Sequence, residues 1–265
     1  MLRRHIKLVL EYPLLVTAGW RRLPDFIIIG AQKSGTTSLF DYLTMHPGVL
    51  KNPLNYKELY FFNTHYQRGM KYYRHYFPLK FRSGLVGEAT ATYLHSQEAP
   101  ARVAQNLPEV KLILTLRDPV DRAISHYYHH VKRGRESRTL DEAFSQDYLD
   151  RFNAGTLEDD KFTYRYLNNS NYARHLTNWQ QHFREECFCI NAAEDMFERP
   201  QEVYDQACDF LGLKRVHLPE FKVHNKGSER KEILEIEQRL YEFYRPRVAQ
   251  LYASPLIKFR WERFD

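Results

Sequence analysis

The sequence predicts an α/β domain, a mostly parallel central sheet flanked by helices, and three observations predict it. Short runs of β-favouring apolar residues recur far apart: FIII at 26–29, KLILTL at 111–116 and CFCI at 187–190. Stretches with helical apolar spacing lie between them, and strands alternating with helices build parallel sheets covered on both faces. The first run also feeds directly into a glycine-rich turn, Gly30 to Gly35, that opens a helical stretch. No internal repeat, low-complexity tract or linker breaks the pattern. Residues 25–265 therefore read as a single domain, and residues 1–24 as an N-terminal helical extension.

The elements follow in order. After the strand at 26–29, Leu39, Phe40 and Leu43 share one helical face, and Pro47-Gly48 ends that helix near Met45. Strands are expected at 49–51 and 85–88, with a loop and helix region dense in Tyr, His and Arg between them. A helix at 100–107 stops at Pro108, and the strand at 111–116 passes through Arg117-Asp118-Pro119 into a helix reaching about 133. Thr139 and Glu142 have the spacing of a capping box. Tyr172, Leu176, Trp179 and Phe183 fall on one helical stripe. A strand at 187–190, a helix at 200–211 closed by Gly212, a loop at 217–228 and a long helix at 232–252 complete the reading. Residues 8–20 are fairly apolar, but Glu11 and Pro13 interrupt them. The run is short of the ~20 residues that span a bilayer.

Composition narrows the partners. The net charge is +6, which favours an anionic ligand but does not choose between nucleotide, acidic glycan and nucleic acid. There are three cysteines. On a strand Cys187 and Cys189 would point to one face and could not bridge each other. With the distant Cys208 they make no zinc pattern, so free thiols in a reducing compartment are expected.

The chemistry concentrates at 30–38. Lys33, Ser34, Gly35, Thr36, Thr37 and Ser38 place one cation and four hydroxyls at a helix N-terminus. Unsatisfied N–H groups and the helix dipole make such a place an anion site. The nucleotide-triphosphatase loop puts Lys after its second glycine, whereas here Lys33 precedes Gly35. Arg117, at the mouth of the helix after 111–116, and Ser125, on its second turn, could serve a second anionic group, or Arg117 could pair with Asp118 or Asp121. His126 and His130 stand four apart on a helix, but two ligands without a third make no metal site.

Four segments, GAQKSGTTS, KELYFFN, LRDPVDRAISHYYHH and NKGSER, occur here in the order seen in the sulfotransferase family. The chain resembles the branch with heparan sulfate N- and O-sulfotransferases and their bacterial relatives, from about 25 to 252. The resemblance implies a P-loop-like sulfotransferase fold and 3′-phosphoadenosine 5′-phosphosulfate (PAPS) as sulfuryl donor, with adenosine 3′,5′-bisphosphate (PAP) as product. It assigns Lys33 through Ser38 to the 5′-phosphosulfate, and Arg117 and Ser125 to the 3′-phosphate. Lys226, Gly227 and Arg230 would form a loop closing over the donor. Glu58 would be the general base for in-line displacement at sulfur, and Lys33 would stabilise the departing phosphate oxygen. Lys57 would orient the acceptor or sulfuryl group. No obligatory metal is expected.

The acceptor would be a hydroxyl or amine of a small molecule or carbohydrate, not nucleic acid. Its selection would fall to loops at 63–77 and 151–171. Ala89 stands where glycan-modifying members often carry Lys, which counts against a polyanionic acceptor. The disulfide of secretory-pathway members has no counterpart near 224–230, so a cytoplasmic, bacterial setting is expected. Rival readings are a nucleotide-dependent kinase and a non-catalytic anionic-ligand-binding module.

Overall fold

A computed structural model describes residues 12–53, 56–157, 161–218 and 234–265. The strands are β1 (Phe26–Gly30), β2 (Val49–Leu50), β3 (Leu85–Ala89), β4 (Lys111–Leu116) and β5 (Phe188–Ala192). They form one parallel sheet in the order β2-β3-β1-β4-β5. Every residue of β1 is buried, because both faces are covered. Ile27 and Ile29 join one core with Leu112, Leu114 and Leu116, while Phe26 and Ile28 join the other with Ile113.

The second core is roofed by α1 (Thr36–Met45), through Leu39, Phe40 and Leu43, and by a later helix at Pro200–Leu211. That later helix ends on Gly212 in the left-handed conformation, as the sequence signals. The larger core takes in α2 (Gly69–Arg74), α3 (Ala99–Asn106) and α4 (Pro119–Lys132). It also holds the stripe Tyr172, Leu176, Trp179 and Phe183.

The order places β1 between β3 and β4, so successive crossovers leave β1 in opposite directions. Ligands of such sheets bind at this switch, outside the strand carboxyl ends. The turn after β1 and Arg117 after β4 are therefore neighbours by topology.

Several expectations need correction. β5 begins at Phe188, because Glu185–Cys187 closes a 3-10 turn, so Cys187 and Cys189 do not share a strand. The stretch 151–171 is largely helical, with helices Gln146–Asn153 and Lys161–Asn168. The loop and helix region expected between β2 and β3 is present, with a π-helical turn at 61–65 and the helix Gly69–Arg74, and Tyr73, Tyr76 and Phe77 are core. The Thr139–Glu142 capping box is present. Among the described residues no helix is long and apolar enough to cross a membrane.

Candidate active site

The turn after β1 is packed closely from below. A side chain on Gly30 would put its Cβ 2.6 Å from Leu94 Cβ and 3.3 Å from the Ala91 carbonyl oxygen, so glycine is required there. Lys33 and Gly35 both have positive φ, 70° and 79°, and Gly35 caps α1 without any side-chain hydrogen bond. The first turn of α1 carries no acidic residue. Its terminal N–H groups and dipole thus face the turn unneutralised.

Ser34 is fully buried and its hydroxyl has no hydrogen-bond partner. Thr36 is buried and Thr37 exposed. The Ser38 hydroxyl is shared with Tyr42.

Burial pushes the Lys33 ammonium below its ordinary value, and Arg117, Arg133, Arg122 and Lys132 add to the effect. The charges of four cations from α4 and its flanks therefore act on Lys33. Arg122 is buried completely, and its partners are the Ser170 hydroxyl, the Tyr166 carbonyl and His126 Nδ1 at 3.3 Å, none of them a carboxylate. Arg122 is the buried member of this cation cluster, Lys33 and Arg117 are half-buried and Lys132 and Arg133 exposed, and an incoming anion stabilises such a cluster.

Arg117 holds Asp121 at 3.4 Å, the pairing the sequence allowed, and lies 5.9 Å from the Phe197 ring centroid. Phe197 also touches the loop, 3.2 Å from where a Cβ on Gly35 would lie. It therefore bridges the two cationic sites. Ser125 is half-buried on α4.

Asp118 caps α4 through Val120 and Asp121 N–H. Burial raises its pKa to about 6, although Arg263 opposes that. Arg263 reaches Asp118 at 3.6 Å and Asp121 at 3.4 Å, while Trp261 donates to Glu194 at 3.0 Å. Arg263 thus neutralises the acids beside Arg117, and Trp261 satisfies Glu194 by a hydrogen bond.

Glu58 flanks the same turn. Its N–H donates to the Ala89 carbonyl at 2.8 Å, and its Oε1 accepts from Ala91 N–H at 3.2 Å. Ala91 is the residue that backs onto Gly30. Glu58 Oε2 is buried without a hydrogen bond of ordinary geometry, and burial raises the carboxyl pKa, with Ala91 N–H and the Tyr60 hydroxyl opposing. Lys57 forms a salt bridge with Asp41 of α1. The charge of Arg133 acts on both Lys33 and Tyr60, so one side chain faces both halves of the site.

Lys226, Gly227 and Arg230 lie outside the described residues. Phe197, Arg133 and Arg263 were not found by sequence reasoning. Arg133 carried the one usable signal, a cationic helix end. Arg263 lies 142 residues from Asp121, beyond the reach of any local pattern. Among the described residues no group of three or more His, Cys, Asp or Glu could hold a metal ion.

A sulfotransferase-domain family model matches residues 23–230. The chain belongs to the sulfotransferase family. It is 30% identical over 273 residues to human heparan sulfate glucosamine 3-O-sulfotransferase 3A1, covering 94% of this chain and 65% of that protein. It is 35% identical over 201 residues to human bifunctional heparan sulfate N-deacetylase/N-sulfotransferase 3, covering 72% of this chain but 22% of that protein. The chain thus spans just under two thirds of the first and about a fifth of the second. A crystal structure of a sulfotransferase from Alicyclobacillus acidocaldarius shares 27% identity with a TM-score of 0.69, covering 88% of this chain and 95% of that one.

The family implies PAPS as cosubstrate and PAP as product. The residues present fit such a donor, since the unpartnered Ser34 hydroxyl and the uncapped α1 terminus offer one anion cradle. Arg117 beside β4 offers another.

Proposed function

We propose that this sulfotransferase-family chain moves the sulfuryl group of PAPS to a hydroxyl or amine of a small molecule or sugar. The observation that carries the reading is the buried, unpartnered Ser34 hydroxyl at the uncapped N-terminus of α1, where Lys33 also feels the charges of Arg117, Arg122, Lys132 and Arg133. Lys33 through Ser38 would hold the 5′-phosphosulfate, and Arg117 with Ser125 the 3′-phosphate. Lys226, Gly227 and Arg230 would cover the donor.

Glu58 would take the acceptor's proton as the acceptor oxygen or nitrogen bonds to sulfur, and its raised pKa suits a base working near neutrality. The bond from sulfur to the 5′-phosphate oxygen breaks in the same step. Lys33 and the loop N–H groups stabilise the charge left on that oxygen.

The reaction as proposed has no obligatory metal. Asp118, the acid nearest the end of β4, is occupied with capping α4 and with Arg263. That arrangement disfavours a magnesium-dependent kinase. The relatives' names point to carbohydrate acceptors, while Ala89 in place of lysine favours a less anionic one. Cys187, Cys189 and Cys208 are free, which agrees with a reducing, cytoplasmic setting.

Calorimetry in EDTA with PAP, beside ATP with magnesium, tests the donor. Metal-free PAP binding is expected, and binding of magnesium ATP without binding of PAP would overturn the proposal. Labelled PAPS offered with a desulfated heparan oligosaccharide, p-nitrophenol and an aliphatic amine then identifies the acceptor class.

A further inference from the structure

We propose that Glu88 is a positioning residue for this reaction: its carboxylate orients the Thr90 and Tyr93 hydroxyls, which hold the backbone segment that carries Glu58. The inference rests on the reading of Glu58 as the base and goes beyond it.

The segment needs holding. Glu58 and Tyr60 have φ of 55° and 52°, left-handed values that are costly for residues with a side chain. Such residues persist only where their surroundings over-determine them. Here the surroundings are the polar side chains of β3 and the turn after it. Leu59 N–H donates to Thr90 Oγ1 at 3.0 Å, and the N–H groups of Phe61 and Phe62 donate to the Tyr93 hydroxyl at 2.9 and 3.3 Å. Each hydroxyl can accept from the segment only if its own hydrogen points elsewhere.

Glu88 supplies that elsewhere. Thr90 Oγ1 donates to Glu88 Oε1 at 2.9 Å, Tyr93 donates to the same oxygen at 2.8 Å, and Tyr73 donates to Oε2. Glu88 is 2% exposed, and its network lies among core residues including Phe61, Phe62 and Tyr73. Three donors meeting two oxygens require a group with acceptors and no donor, which is an ionised carboxylate. Glutamine would bring an NH2 to face one of the hydroxyls and turn its hydrogen back toward the segment.

A carboxylate buried this deeply titrates late. Burial raises Glu88 to about 7, the three hydroxyls oppose the rise, and the charge of Glu58 adds to it. The charge of Glu58 therefore acts on Glu88. Glu58 in turn faces Ala91 N–H and Tyr60, and Tyr60 feels Arg133.

The test is amide hydrogen exchange on the full chain with PAP bound, read by mass spectrometry. In Glu88→Gln and in Thr90→Val the peptide covering 58–62 should exchange about tenfold faster or more, with the loop at 31–38 unchanged. Thr90→Ser, which keeps the hydroxyl, should stay near the wild type. Exchange at 58–62 within twofold of wild type in both altered proteins would overturn the proposal. If Glu88→Gln does not fold, the Thr90 pair decides alone.

With the fastest acceptor from the labelled-donor screen, Glu88→Gln should lower kcat by roughly 10- to 100-fold with KM for PAPS nearly unchanged. The acid limb of its rate profile should move to lower pH, because the late-titrating carboxyl whose ionised form orients the hydroxyls is gone. A kcat and pH profile equal to wild type would also overturn the proposal. Glu58→Gln run beside it separates the two readings. If that variant keeps full activity the base assignment falls, while the exchange result still judges Glu88.

Discussion

Replacing Arg117 by Ala should weaken PAP binding while sparing 5′-AMP, which lacks the 3′-phosphate. The size of the effect follows from what Arg117 now holds. A hydrogen bond from a charged group contributes about 1.5–3 kcal/mol. Its present partner is Asp121, at 3.4 Å with both side chains 22% exposed. A half-exposed pair of this kind contributes about 0.2–1 kcal/mol and must be shared or broken when the phosphate arrives. The difference, about 0.5–2.8 kcal/mol, corresponds to roughly 2- to 100-fold in Kd.

Arg263 matters to this result, because it also holds Asp121, at 3.4 Å, and so loosens that acid's grip on Arg117. Isothermal calorimetry with PAP and with 5′-AMP, on wild type and Arg117→Ala, gives the answer. PAP affinity within twofold of wild type would refute the reasoning. So would an equal loss for both ligands, because Arg117 would then be serving something other than the 3′-phosphate.

Other outcomes follow from single features of the site. Lys33 is held below its ordinary pKa of 10.5 by burial and neighbouring cations. An anionic ligand should raise it, so PAP binding at alkaline pH should take up protons; calorimetry in buffers of different ionisation enthalpy reads this, and proton release would contradict it. Gly35→Ala forces a side chain onto φ 79°, with its Cβ 3.2 Å from Phe197. It should cost about 1–2 kcal/mol of stability and weaken PAP binding, measured by denaturant unfolding and calorimetry. His175, buried and bonded to the Asn168 carbonyl, has its pKa lowered to about 4, with burial the main cause. A histidine lowered on folding stabilises above its unfolded pKa and loses that contribution as pH falls toward the folded value. Between pH 7 and 5 the wild type should therefore lose about 2 kcal/mol more than His175→Gln in urea unfolding, and equal losses would contradict this.

What could be read from the chain depended on the distance over which each feature is determined. β1, β4 and α1 were legible because buried runs and a glycine turn are local signals. The capping box at Thr139 and the Gly212 cap were legible for the same reason. β5 was placed one residue early, since nothing local distinguishes the 3-10 turn ending at Cys187 from the strand that follows. The helix at Lys161–Asn168 was missed.

In the site, Lys33 through Ser38 form a contiguous motif, and Arg117 follows a buried strand, so both could be named. The partners could not. Lys57 pairs with Asp41, 16 residues away, Arg263 closes on Asp118 and Asp121 from the far end of the chain, and Tyr73 meets Glu88 across 15 residues. These are consequences of the sheet order, which places β3 and β4 on either side of β1.

The central claim is that Glu58 removes the acceptor proton at a donor site built on Lys33 and Arg117. Its most direct test is a single-turnover assay of Glu58→Gln with saturating labelled PAPS and the acceptor from the screen. PAP affinity should be unchanged and sulfuryl transfer slower by about 10²–10⁴-fold. Transfer within threefold of wild type, with the donor bound normally, would contradict it.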